Sequence, residues 1–149
     1  MTLTTIRKAK ITDEANVFIL FSKLSSRQRT DQYRVDQETG HSVFRMVIEN
    51  PSLGVILVAE EGEEILGVIS LSYPVAIRCS GPYARIEEYI VDEKSRGKGI
   101  GGLLLDAVIN EARSMGCFDL QVNNPSDLGR PLYMKRCFED GGEYMRLKL

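Results

Sequence analysis

The stretch Arg96-Gly97-Lys98-Gly99-Ile100-Gly101-Gly102 concentrates the chemistry of this sequence. Glycines lack a Cβ atom, so a backbone built from them can approach a ligand closely. An apolar run with helical spacing follows, and the loop therefore opens a helix, whose first N–H groups are unpaired and whose dipole favours negative charge. Arg96 and Lys98 add two cations at the same place. Together these features suit a ligand bearing a pyrophosphate. The plain alternative is a glycine-rich turn that only joins a strand to a helix. Gly97, Gly99 and Gly102 also fit G-x-G-x-x-G, and Asp119, about twenty residues on, stands where a ribose-binding acid would. That fingerprint opens a dinucleotide-binding unit, yet here it begins at residue 97 of 149, which leaves no room for a second nucleotide half. A Walker phosphate loop is excluded because no G-x-x-x-x-G-K-[ST] occurs.

Two adjacent carboxylates, Glu87 and Glu88, precede the loop, and Tyr133 follows it. Other chemistries are poorly served. The single histidine, His41, argues against a histidine-built metal site or a Ser-His-Asp triad. Cys79, Cys117 and Cys137 are odd in number and match no zinc or redox spacing. Unpaired thiols of this kind suit a reducing compartment, so a cytoplasmic protein is expected. A net charge of −2 lacks the basic face of a nucleic-acid binder. No run reaches the ~18 apolar residues of a membrane helix, and the first ten residues hold no signal-peptide core. With 149 residues, 43% hydrophobic and 27% charged, the chain suits one soluble domain spanning 1–149.

The elements that must position these residues follow from periodicity. Thr5 to Ala9 reads as a first strand. Thr12 offers an N-cap to a helix carrying Val17, Leu20, Phe21 and Leu24 at i, i+3, i+4, i+7. Residues 25–40 are polar, either a loop or a weak helix. Val43, Met46 and Val47 mark a second helix that ends at Asn50-Pro51. Val55 to Glu60 and Ile65 to Tyr73 form two strands about a Glu61-Gly62 turn, and Arg85 to Asp92 a third. Leu104, Leu105, Val108, Ile109, Ala112 and Met115 share one face of the helix after the glycine loop, and Gly116 ends it. Cys117 to Val122 is the next strand, Pro131 to Arg136 a short helix, and Tyr144 to Leu149 alternates as a closing edge strand. This order describes an α+β, mixed α/β, domain around one sheet.

Arg96 to Gly101 resembles the acetyl-CoA motif of the GNAT superfamily of N-acetyltransferases, [Q/R]-x-x-G-x-[G/A]. It follows a strand, Ile86-Glu87-Glu88-Tyr89-Ile90-Val91-Asp92, of the kind that precedes the motif in that family. Pro131-Leu132-Tyr133-Met134-Lys135-Arg136-Cys137-Phe138 resembles the family's second signature, a tyrosine on a short helix before a Lys-x-Gly-Phe turn. The likeness in element order spans nearly the whole chain. It implies a central, mostly antiparallel twisted sheet flanked by helices. It also implies acetyl-CoA as cosubstrate and no metal. The backbone of Arg96, Gly97, Lys98, Gly99, Ile100 and Gly101 would hold the pyrophosphate, and that of Ile90 and Val91 would pair with the pantetheine arm. Two positions depart from the pattern. Cys137 stands where a glycine is usual. The usual loop asparagine is out of register, with Ser126 near its place and Asn123 and Asn124 just upstream.

Under this resemblance the reaction is direct transfer of an acyl group to a primary amine. An alkylamine of pKa ~10.4 is only about 0.04% neutral at pH 7, so a base is valuable. Glu87 or Glu88 would supply it, and strand alternation predicts that at most one faces the acceptor. Tyr133 is the candidate acid for the leaving thiolate. His41 reads as a surface or lid residue. The acceptor wall would include Arg27, Arg29, Asp31, Arg34, Asp36 and Glu38, a mixed set that selects no ligand class. Expected partners are acetyl-CoA and an amine, with no nucleic acid or membrane, and a homodimer stays open. The reading from a different class is a regulatory module that binds acyl-CoA without turnover.

Overall fold

Strands β1 (Thr5–Lys8), β2 (Gly54–Glu61), β3 (Glu64–Ser72), β6 (Ala84–Val91) and β7 (Leu120–Val122) form one sheet in that spatial order. A small hairpin of β4 (Val75–Ala76) and β5 (Gly81–Pro82) stands off the β3–β6 connection. The computed structural model describes residues 3–23 and 37–149. Three of the four pairings in the main sheet are antiparallel, and β6–β7 is parallel. Helices α1 (Glu14–Ser22) and α2 (Gln37–Glu49) cover one face, and α3 (Ile100–Ser114) and α4 (Arg130–Lys135) the other.

Strand alternation builds both layers. Leu57, Ala59, Ile69, Leu71, Ala84 and Ile86 meet Leu104, Leu105, Val108 and Ala112 of α3. On the opposite face Ile56, Val58, Val68 and Ile90 meet Val17 and Leu20 of α1 and Phe44 of α2. Each fully buried Leu, Ile or Val contributes about 1.5–3 kcal/mol. These two cores hold the sheet rigid beneath the segments that carry chemistry.

Several expectations change. Thr12 lies inside a 3-10 turn, Ile11–Asp13, and does not cap α1. Asp13 instead accepts from the Lys10 N–H at 2.7 Å and from both Arg7 Nη atoms, at 2.7 and 3.0 Å. In α2, Val43 and Met46 face solvent and Phe44 is the buried anchor. Met115 is likewise partly exposed at the end of α3. The expected closing strand at Tyr144 to Leu149 is absent, because that segment joins no sheet and Met145, Leu147 and Leu149 are exposed. Alternation dictates which side chains share a face. It does not supply a partner edge, and β7, three residues long, offers little.

Candidate active site

Between the end of β6 and α3 the chain passes through a 3-10 turn, Glu93–Ser95, and then the glycine loop. Gly97 and Gly99 take φ of +80° and +81°. An L-residue there would be strained by about 1–2 kcal/mol. Gly99 is the N-cap of α3 and provides no side-chain cap, so the first N–H groups of a 15-residue helix stay available to an anion. Arg96 and Lys98 are exposed beside them. Arg96 Nε also donates to the Val91 carbonyl at 3.3 Å. Ile100 is buried in the core, which anchors the helix start.

Gly101 and Gly102 serve packing as well. The Tyr89 hydroxyl donates to the Gly101 carbonyl at 2.5 Å, and Arg136 Nη2 to the Gly102 carbonyl at 3.2 Å. A Cβ at Gly101 would stand 3.0 Å from the Tyr89 oxygen and 3.2 Å from Leu132. Arg136 also forks onto Asp106 at 2.6 and 3.2 Å, tying α4 to α3.

The sheet opens beside this loop. β7 pairs with β6 at Ala84–Leu120, Arg85–Gln121 and Ile86–Val122, and there it ends, whereas β6 continues to Val91. Beyond Ile86 the β7 side of β6 therefore has no strand partner.

A bulge in β6 decides where the carboxylates point. Ser70 pairs with Glu88 but Leu71 pairs with Ile86, so Glu87 is an extra residue. Leu71 and Ile86 lie on the α3 face. Ser70 and Ser72, one step either side, lie on the opposite face, and both carboxylates follow them there. Ser72 Oγ donates to Glu87 at 3.0 Å, and Ser70 Oγ donates to Glu88 in a short contact. The expectation that alternation sends Glu87 and Glu88 to opposite faces is thus corrected, since a bulge breaks it. Their environments differ. Glu87 is exposed, while Glu88 is half-buried, and burial pushes its carboxyl above the usual range, with the neighbouring Glu87 charge adding to the effect and the Ser70 hydrogen bond opposing it.

Tyr133 is buried on the α3 face, edge-on to Tyr89 at 6.1 Å and against Phe138 at 5.1 Å. Burial raises its phenol well above the ordinary value, and Tyr89 is pushed up to about 12 for the same reason. Asn124 turns the chain after β7 with φ of +53°. Ser126 Oγ accepts from the Gly129 N–H at 3.0 Å and so shapes the entry to α4. Cys137 has φ of +65°, the left-handed conformation that its glycine-like place requires. His41 contacts the Glu14 carboxylate and stacks on Phe18 at 4.7 Å. Arg27, Arg29, Asp31, Arg34 and Asp36 lie outside the described residues.

Sequence reasoning missed Ser70, Ser72, Tyr89 and Arg136. The two serines left a trace, a period-two polar interruption in an otherwise apolar strand. Tyr89 and Arg136 left none, because the Gly101 and Gly102 carbonyls and the Asp106 carboxylate of α3 that they meet are brought near only by the fold.

A mixed sheet whose one parallel pair ends after three residues, with an uncapped glycine-rich helix start following β6, fits an acyltransferase that uses CoA. Residues 20–137 match the model of the Acetyltransferase (GNAT) family, and the chain belongs to that family. "Uncharacterized N-acetyltransferase YhfO" of Bacillus subtilis (strain 168) is 30% identical over 139 residues, covering 91% of this chain and 89% of its own length. Glucosamine-6-phosphate N-acetyltransferase from Arabidopsis thaliana superposes with a TM-score of 0.80 at 25% identity, over 98% of each chain. A predicted acetyltransferase from Clostridium acetobutylicum, solved with acetyl-CoA, gives 0.80 at 27% identity over 98% of this chain and 96% of its own. The protein is an acetyltransferase of a family that uses acetyl-CoA. Among the described residues no helix is long and apolar enough to cross a membrane.

Proposed function

We propose that the protein moves an acetyl group from acetyl-CoA directly to a primary amine, with Glu88 as the base and Tyr133 as the proton donor. The observation that carries this reading is the placement of a half-buried carboxylate beside the unpaired edge of β6. The backbone of Arg96 to Gly101 binds the pyrophosphate, with Arg96 and Lys98 adding charge. Ile90 and Val91 pair with the pantetheine arm, and Asn124 and Ser126 border it from the end of β7.

Glu88 is the better base of the pair because burial makes its ionised form a stronger proton acceptor than an exposed carboxylate. It takes a proton from the bound ammonium. The neutral nitrogen then attacks the thioester carbonyl carbon, the C–S bond breaks, and the sulfur leaves with its electron pair. Tyr133 donates its proton to that sulfur, and the second amine proton returns to solvent, from which Tyr133 is recharged. The raised phenol keeps Tyr133 protonated at every working pH. The amide and free CoA are the products.

The single domain 1–149 acts in the cytoplasm, which its three free thiols favour. Its net charge of −2 favours no nucleic-acid partner, and the reading accommodates a homodimer. Acetyl-CoA at 100 times its Kd should stabilise the fold by about 2.7 kcal/mol, roughly 5–10 °C in Tm. NAD is the control. CoA release with an amine panel then identifies the acceptor. An unchanged Tm with acetyl-CoA, or no release with any amine, sinks the reading.

A further inference from the structure

Upstream of Glu87, Arg85 on β6 and Arg78 on the turn between β4 and β5 bring two guanidinium groups to the Tyr83 ring. Arg85 pairs with Ser72 in the ladder and so points to the face that holds both carboxylates. Its Nη2 donates to the Tyr83 hydroxyl at 3.1 Å, and its guanidinium carbon lies 5.6 Å from the centre of the Tyr83 ring. Arg78, on the exposed turn between β4 and β5, stacks on the same ring at 5.1 Å. Arg85 Nε is buried and donates no hydrogen bond among the described residues. Neither arginine forms an ion pair among the described residues, although carboxylates stand two and three positions along the strand. Glu87 and Glu88 face serines instead.

A guanidinium N–H left without an acceptor is unfavourable, and an anion held by the fork would relieve it. Stacking on one tyrosine holds both planar forks in place before anything binds, which lowers the ordering cost of binding. The fork geometry matches carboxylate and phosphate oxygens. Along the strand Arg85 stands three residues before Glu88, roughly 10 Å at the strand rise and less across the bulge, and both side chains lie on one face.

The geometry points to a subsite in which Arg85 and Arg78 bind an anionic group, carboxylate or phosphate, of the acceptor while its amine meets Glu88. The acceptor class is then an amine bearing an anion, such as an amino acid or a phosphorylated amine. This rests on the proposed transfer at the β6 face, and its test separates the two ideas.

Acetyl transfer is measured with matched pairs, glycine against glycinamide and O-phosphoethanolamine against ethanolamine. The anionic member of at least one pair should have the higher kcat/KM by about 10–100-fold. Which pair responds tells carboxylate from phosphate. Arg85→Gln, and Arg78→Ala on its exposed turn where folding is spared, should bring that ratio towards one. Equal or better use of the neutral members, or variants that lower both members alike, overturns the subsite and leaves acetyl transfer standing. If no amine is acetylated, the transfer reading falls, and the subsite is decided by the Arg85 Nε–H resonance in nitrogen-15 NMR. With CoA saturating the glycine loop, inorganic phosphate or acetate should shift that resonance; no shift with either overturns the proposal.

Discussion

Replacing Glu88 with Gln keeps the shape of the side chain and its contact with Ser70, and removes the proton acceptor. General-base assistance is worth about 10²–10⁴-fold, so kcat should fall by that factor, or about 3–5.5 kcal/mol of barrier. Stability should move the other way. Burial raises the Glu88 carboxyl in the folded state. Such a group contributes stability that is fully present below its unfolded pKa and is lost as pH rises through the higher folded value. As pH rises the parent therefore loses that contribution, and the Gln variant, which does not titrate, keeps its own. Its Tm should equal or exceed the parent's at pH 7, and the gap should narrow towards pH 4. Rates and melts across pH 4–9 read both effects. The parent's kcat/KM should rise through an acid limb displaced above the ordinary glutamate range, and the variant should lack it. Glu87→Gln is the internal control, exposed and expected to lose much less. A Glu88 variant within about threefold of the parent in kcat, with chemistry rate-limiting, or a larger loss in the Glu87 variant, would refute the assignment.

Tyr133→Phe preserves the packing against Tyr89 and Phe138 and should lower kcat by about 10²–10⁴-fold with little change in CoA affinity. No basic limb from Tyr133 should be seen in the parent's accessible pH range, because burial lifts the phenol above it; a near-silent variant makes Tyr133 a packing residue. Cys137→Gly should stabilise the fold, since left-handed strain of about 1–2 kcal/mol is relieved and about 0.5–1 kcal/mol is returned as glycine's unfolded entropy. The net is about 0.5–1 kcal/mol, or roughly 1–4 °C in calorimetry. Gly99→Val, at φ of +81° with open space around it, should weaken acetyl-CoA binding in titration calorimetry far more than it lowers Tm. Gly101→Val should lower both, because its side chain would meet Tyr89 and Leu132.

By itself the sequence determined the features that depend on near neighbours. The helix after the glycine loop, its stop at Gly116, the β2–β3 hairpin and the left-handed glycines Gly97 and Gly99 all follow from local spacing, turn chemistry and the conformational freedom of glycine. The left-handed place of Cys137 was legible only through the family likeness, in which a glycine is usual there. Tertiary structure alone decided what depends on register between strands distant in sequence. Pairing of Ser70 with Glu88 and of Leu71 with Ile86 forces the bulge that turns both carboxylates to one side. Where β7 stops leaves β6 beyond Ile86 without a strand partner on that side among the described residues. The tail shows the converse, since its alternation describes a strand and no edge receives it. Strand propensity belongs to each residue and its immediate neighbours, whereas the face a side chain occupies belongs to a pair of strands, and a one-residue slip between them reverses it.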